Sequence, residues 1–137
     1  MEFMSAFNVC ASGLAAQRAK MDVVTSNLAN INTTRTPEGG AYRRKSIVFS
    51  SEPLKGGFDD ILRKVKVEDV VENKERIKMV FDPTHPDANP EGIVAMPDIN
   101  TVSEMADMIS ANRAYEACVT AFDATKNMAF KALELGK

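Results

Sequence analysis

The sequence predicts a mainly α protein: two long terminal helices forming a coiled-coil-like core, with a small β-rich or irregular segment between them. Three observations carry this. Apolar residues recur with a period of 3.5 at both ends of the 137-residue chain. Between those ends, short runs alternate apolar and polar residues and are punctuated by Gly and Pro. The two helical stretches are also too long for a sphere of this size. At 1.5 Å per residue they reach about 40 and 50 Å, against about 37 Å for the diameter of a compact chain of this length. An elongated molecule is expected, with helical partners for its apolar seams.

The first helix is expected over about residues 5–31. Phe7, Leu14, Met21 and Leu28 recur every seven residues, and Phe3, Cys10, Val24 and Ile31 fill the second apolar position of the same heptad. Gln17 is the one polar break. The residues between are mostly Ala, Gln, Arg and Lys, which favour helix. Ser5 suits the N-cap. The helix should end in SNLANINTT, residues 26–34. Leu28 and Ile31 still continue the seam there, while Asn27, Asn30, Asn32 and the threonines offer local hydrogen bonds that compete with helix. Asparagine also tolerates a left-handed residue at a helix end.

The middle reads differently. Val65-Lys66-Val67 and Ile77 to Phe81 alternate as strands do, and Tyr42 to Phe49 adds a further candidate. Gly39-Gly40, Gly56-Gly57 and the stretch DPTHPDANPEG at 82–92 mark turns. Phe58, Ile61, Leu62 and Val65 have the spacing of one helical turn. Three or four short strands are expected, as a small sheet or an extended insertion.

The second helix is expected over about 102–135. Met105, Met108, Asn112, Tyr115, Val119, Phe122, Lys126, Ala129 and Leu133 alternate spacings of three and four, interrupted by Asn112 and Lys126. Thr101-Val102-Ser103-Glu104 has the form of a capping box, and Gly136 stands where a helix C-terminus favours glycine. The chain divides into 1–35, 36–98 and 99–137.

Composition narrows the function. Hydrophobic residues make up 45% and charged residues 26%, which is not the profile of a disordered chain. A net charge of −2 argues against a broad nucleic-acid face. The one basic cluster, Arg43-Arg44-Lys45, reads as a solvated strand edge. No apolar run reaches the length of a membrane span. The start, MEFMSAFNVC, carries an acid and no basic region, so it makes a poor secretory signal and, taken alone, implies a cytoplasmic protein.

No catalytic, cofactor-binding or metal site is expected. His85, the single histidine, lies between prolines with no serine or cysteine near it in sequence. Asp87, Asn89, Glu91 and Gly92 imitate the opening of a calcium loop. Pro90 and Pro97 interrupt that loop, and Asp98 stands where a bidentate glutamate is needed. Asn32-Thr33-Thr34 fits a glycosylation pattern that three residues often meet by chance. Asp59 and Asp60 adjoin in sequence, and neighbours of that kind seldom converge on one atom. No Gly-rich loop has phosphate-binding spacing. Cys10 and Cys118 read as small apolar residues. They come level if the helices run antiparallel with residue 30 beside about residue 100. The residues point instead to an assembly seam: Phe7, Leu14, Met21, Val24 and Leu28 on the first helix, and Met105, Met108, Tyr115, Val119, Phe122 and Leu133 on the second.

The segments ASGLAAQRAKMDVVTSNLANINTTRT (11–36) and GGAYRRK (39–45) resemble the N-terminal signature of bacterial flagellar basal-body rod and hook proteins. SEMADMISANRAYEACVTAFDATKNMAFKALELGK (103–137) is similar to their C-terminal helix. DPTHPDANPEGIVAMPDIN (82–100) resembles the segment typical of proximal-rod members. The resemblance implies a structural subunit of a hollow helical shaft that crosses the periplasm, with self-copies and other rod proteins as partners and no cofactor. It also implies export through the flagellar type III apparatus without a cleaved signal peptide, which overrides the cytoplasmic expectation. Terminal helices that order on assembly into a coiled-coil core, with Asn27, Asn30 and Asn32 marking the end of the first, are implied too. A cytoplasmic coiled-coil adaptor or chaperone is the alternative that the heptads alone allow. A small domain binding a metal through 82–92 is a third.

Overall fold

The computed structural model describes residues 2–54, 62–73 and 76–136. Its elements are helix α1 (Glu2–Ala29), strands β1 (Lys45–Pro53), β2 (Arg63–Glu72), β3 (Ile77–Phe81) and β4 (Ile93–Pro97), and helix α2 (Thr101–Leu135). The protein is mainly α, as expected, with two small antiparallel strand pairs between the helices.

The helices are 28 and 35 residues long, or about 42 and 52 Å. They lie antiparallel within the chain, and contacts at four levels set the register. The Phe7 and Phe122 rings meet edge to face at 4.9 Å. Cys118 Sγ lies 3.1 Å from where a Cβ on Gly13 would stand, so the missing side chain admits the thiol. Lys20 approaches Asp107 at 4.0 Å, and Asn27 bonds Glu104 at 3.0 Å.

The face that α2 covers runs through Glu104, Met108, Ala111, Tyr115, Cys118, Phe122, Thr125 and Ala129, each buried or half-buried. It keeps the 3.5-residue period but departs by one position from the apolar stripe at alternate slots. Glu104, Ala111, Cys118 and Thr125 occupy it instead of Met105, Asn112, Val119 and Lys126. Asn112 and Lys126 therefore do not interrupt this face; both are exposed beside it.

On α1, Ser5, Ala16, Val24 and Asn27 are buried, and the helix has a second neighbour. The β1–β2 hairpin packs along it, with the Val65 amide donating to Ser12 Oγ at 3.1 Å. The hairpin pairs Lys45 with Glu72 at its base and Pro53 with Arg63 at its far end, with a bulge between Val48 and Phe49. Ion pairs Lys45–Glu72 (3.4 Å) and Lys64–Glu52 (3.3 Å) bridge its strands. β3 and β4 form a separate pair, from Ile77 against Pro97 to Phe81 against Ile93. Gly92, at φ +75°, turns the chain into β4, and a Cβ there would stand 2.9 Å from the Phe81 ring.

Several local expectations need correction. α1 starts at Glu2, so Ser5 is a buried position inside the helix and not its cap. The N-cap of α2 is Asn100, whose side chain accepts from the Val102 and Ser103 amides, and Thr101 is already helical. Glu104 does not reach back to complete a capping box, because Asn27 and Arg44 engage both its oxygens. No non-glycine residue has positive φ among those described, so the asparagines end α1 without a left-handed residue. Of the supposed helical turn, Phe58 and Ile61 lie outside the described residues and Val65 lies in β2. The strand sought at 42–49 begins at Lys45 and runs to Pro53.

Candidate assembly interface

The end of α1, the start of β1 and the start of α2 meet at one buried polar junction. Asn27, 1% exposed, satisfies its whole amide there. Its Nδ2 donates to the Lys45 carbonyl (2.9 Å) and to Glu104 Oε2 (3.0 Å). Its Oδ1 accepts from the Lys45 amide (2.9 Å) and the Tyr42 hydroxyl (3.1 Å). Tyr42 has one hydroxyl proton, so Ser26, 3.1 Å away, must donate to it. Glu104, also 1% exposed, accepts from Arg44 Nε at 2.6 Å through its other oxygen. Arg44 continues to Ser46 Oγ at 2.8 Å and approaches Asp107 at 3.9 Å. A carboxylate here is compensated twice, by the guanidinium and by the positive end of α2.

Asn30, half-buried, donates through Nδ2 to the Ser26 carbonyl at 2.9 Å and so closes the last turn of α1. Thr33 then bonds Asn30 through amide and hydroxyl. Asn32 is exposed. Sequence reasoning marked Asn27 only as a helix-end residue and Glu104 only as part of a cap. No local pattern announces their pairing, because the partners are distant in the chain.

The apolar faces are the second feature. Six hydrophobic residues are buried among those described, and five of them are Ala or Val. Seventeen large hydrophobic residues are exposed, including Phe81, Val102 and Leu133. The accessible surface is 9832 Å², against about 7,000 Å² for a compact monomer of this mass. That excess is of the order that permanent interfaces bury. Of the seam residues, Val24 is buried, and Phe7, Leu14, Met21, Leu28, Met108, Tyr115 and Phe122 are half-buried. Met105, Val119 and Leu133 are exposed, and Ile109 and Phe130 are exposed on the same flank of α2.

The loop at 82–92 is tied by its own residues. Asp82 accepts from the Thr84 hydroxyl (2.6 Å) and amide (3.1 Å). Those bonds, the hydroxyl first, hold its carboxyl below the ordinary aspartate value of 3.8, with His85 adding a smaller effect. Asp87 accepts from Thr34 at 2.8 Å, and its amide donates to His85 Nδ1 at 3.1 Å. Among the described residues no group of three or more His, Cys, Asp or Glu is placed to hold a metal ion. Cys10 and Cys118 are half-buried free thiols. No helix among the described residues is long and apolar enough to cross a membrane.

Both helices of this antiparallel pair match profiles of the flagellar rod class of proteins. The profile described as "Flagella basal body rod protein" matches residues 7–35. The profile of the "Flagellar basal body rod FlgEFG protein C-terminal" matches 91–135. The chain is 46% identical to the flagellar basal-body rod protein FlgC of Bacillus subtilis, covering 98% of this chain and 100% of the relative. It is 41% identical to that of Borreliella burgdorferi, over 98% of each, and 36% identical to that of Escherichia coli O6:H1 over the full length of both. The chain belongs to the FlgC family of flagellar basal-body rod proteins. It is a structural subunit and not an enzyme, its place is the flagellar basal body, and it assembles with other basal-body components.

Proposed function

We propose that the chain is an axial subunit of the proximal rod that assembles helically with copies of itself and with other rod proteins. In this reading the terminal segments 1–35 and 99–137 form a coiled-coil-like inner core that lines the export channel. The middle segment 36–98 faces outward or reaches neighbours. The assembled shaft transmits motor torque across the periplasm. The subunit leaves the cytoplasm through the flagellar export apparatus without a cleaved signal peptide.

The observation that carries this is the imbalance between covered and uncovered apolar residues. Among the described residues, seventeen large hydrophobic side chains stand exposed against six buried hydrophobic residues, and contiguous uncovered apolar faces mark interaction surfaces. A repeated heterologous contact that does not close produces a filament and covers such faces. The seam from Phe7 to Leu28 and from Met105 to Leu133 is proposed as that interface, with Asn27, Asn30 and Asn32 marking where the core helix ends. Completing the helices only on assembly avoids wrong pairing beforehand, and lateral contacts offset the ordering entropy. None of the relatives is named as an adaptor or chaperone, so that alternative has no support.

Deletion of the gene together with fractionation tests the reading. Cells without the chain should not swim, and the chain should copurify with basal bodies. Normal swimming with intact basal bodies after a clean deletion would reject it.

A further inference from the structure

The outer side of α2 carries a second apolar line that α1 does not cover. Val102, Met105, Ile109, Val119, Phe130 and Leu133 lie on it, and all six are exposed. Asn112, Glu116, Asp123 and Lys126 fill the steps between them, so the whole line keeps spacings of three and four. Asn112 Nδ2 donates to Glu116 Oε1 along it at 3.1 Å. Helix α1 has an outer line too, running from Met4 to Ala29 through exposed positions at the same spacings. Small residues dominate it, among them Ala11, Ala15, Thr25 and Ala29, and near its middle stand Arg18 and Asp22. Neither of those two forms an ion pair with a described residue.

The two lines fit one another better than either fits itself. A seam of this spacing accepts a second helix only in registers that keep its alternation. In the antiparallel register that sets Arg18 beside Glu116, Asp22 falls beside Asn112 and the adjoining Arg113, so both charges of the α1 line are answered. Ala15 and Ala29 then receive Val119 and Met105, and Met4 meets Phe130. Asp123 lies over Ala11 and keeps Lys126, three residues on in its own helix, as its neighbouring cation. Sliding one heptad sets Arg18 on Asp123 but leaves Asp22 on Val119; sliding the other way sets both charges on Ile109 and Met105. Pairing the α2 line with the α2 line of another copy answers less. Parallel and in register, Glu116, Asp123 and Lys126 each meet themselves, and antiparallel with the ends matched, Glu116 faces Val119.

We propose that the outer line of α2 in one copy packs antiparallel on the outer line of α1 in a second copy, with Glu116 of the first beside Arg18 of the second. This rests on the reading that copies of the chain assemble with one another, and it names the surfaces and the register. Because α1 and α2 are already antiparallel within each chain, the two copies point the same way. Within one chain the Phe7–Phe122 and Asn27–Glu104 contacts set Glu116 level with about residue 14 of α1. Between copies it lies level with Arg18, so neighbours are displaced by about four residues, or about 6 Å, along the helix axis. Each added copy leaves one α1 line and one α2 line free, which is the heterologous contact that extends an assembly.

Proximity cross-linking of the full chain tests this. In a Cys10→Ala, Cys118→Ala background, one chain carries Ala15→Cys and another carries Val119→Cys, both at exposed sites. The two are mixed at rising concentration and treated with a short bismaleimide, and a mixed Ala15–Val119 dimer is expected. In the chain with its native cysteines, Arg18→Glu should keep the helical circular dichroism and weaken self-association in sedimentation by about tenfold. Adding Glu116→Arg to the same chain should restore most of it, since every copy supplies both surfaces. A product made only of Val119–Val119 dimers, no mixed product, or no recovery in the doubly reversed chain overturns the inference. Copurification of the unsubstituted chain with basal bodies is scored separately. Copurification without the mixed product sinks this contact and leaves the rod reading standing. The mixed product without copurification supports the contact and sinks the rod reading.

Discussion

Asn27 Nδ2 and Glu104 Oε2 are 3.0 Å apart although seventy-seven residues separate them in the chain. Around this bond the end of α1, the entry to β1 and the first turn of α2 are held in one arrangement. Replacing Asn27 by Leu removes four hydrogen bonds and leaves Glu104 facing a side chain that cannot donate. The expected loss is about 3–5 kcal/mol, seen as a lower urea midpoint of the folded chain. Glu104→Gln keeps the shape but loses the charge that Arg44 answers, and should cost less, about 1–2 kcal/mol. A midpoint unchanged in Asn27→Leu would mean that the apolar contacts alone hold the helices in register.

The approach of Gly13 to Cys118 sets up a coupled pair. Alanine is favoured over glycine in a helix by about 1 kcal/mol, but a Cβ at Gly13 would stand 3.1 Å from Cys118 Sγ. Gly13→Ala alone should leave stability nearly unchanged. In a Cys118→Ala background the same substitution should stabilise by about 1 kcal/mol. A double-mutant cycle of thermal or urea unfolding reads the difference. Equal effects in both backgrounds would show that the helices separate freely at this level.

Asp82 supplies a prediction about pH. Its carboxyl is held below 3.8 by the Thr84 hydroxyl and amide. Above that value the side chain is ionised in both folded and unfolded chains, and its full contribution is present. As pH falls below 3.8 the unfolded chain takes up the proton first. The contribution is lost as pH drops through the depressed folded value. Thr84→Val removes the hydroxyl bond and should raise the Asp82 midpoint toward 3.8 in a carboxyl-carbon NMR titration, with the amide bond keeping part of the depression.

Phe7 and Phe122 meet edge to face near the end of α1, beyond which α2 runs on without its partner. Phe122→Asp places a carboxylate against the Phe7 ring in the contact between the two helices. The expected result is loss of incorporation into basal bodies, because an unpaired charge at a helix interface costs several kcal/mol. Leu14→Asp should act alike. Export, followed as the chain recovered outside the cytoplasm, should survive in both. Rods of normal composition with either variant would move the interface elsewhere.

Much of this architecture is written in local patterns. The heptads from Phe7 to Leu28 and from Met108 to Phe122 announce two long helices, since a period of 3.5 arises from no other element. Alternation at 77–81 announces β3, and the Pro and Gly residues of 82–92 announce its turn. β4 has no such local signal. Its IVAMP run lacks clean alternation, and it exists as a strand because β3 pairs with it.

The sequence by itself therefore determined the helices, their approximate ends and the presence of more apolar surface than one chain can cover. It did so because secondary structure and hydrophobic period are short-range properties. Only the tertiary structure decided which residues each face covers. Hydrophobicity ranks Met105 and Val119 above Glu104 and Thr125, yet the second pair is buried and the first is exposed. A partner's shape, an arginine in reach and a glycine opposite a thiol make those positions fit, and each depends on residues distant in the chain. The same holds for Asn27. Its place at the end of a helix can be read locally, but its four hydrogen bonds exist only because Tyr42, Lys45 and Glu104 are folded around it.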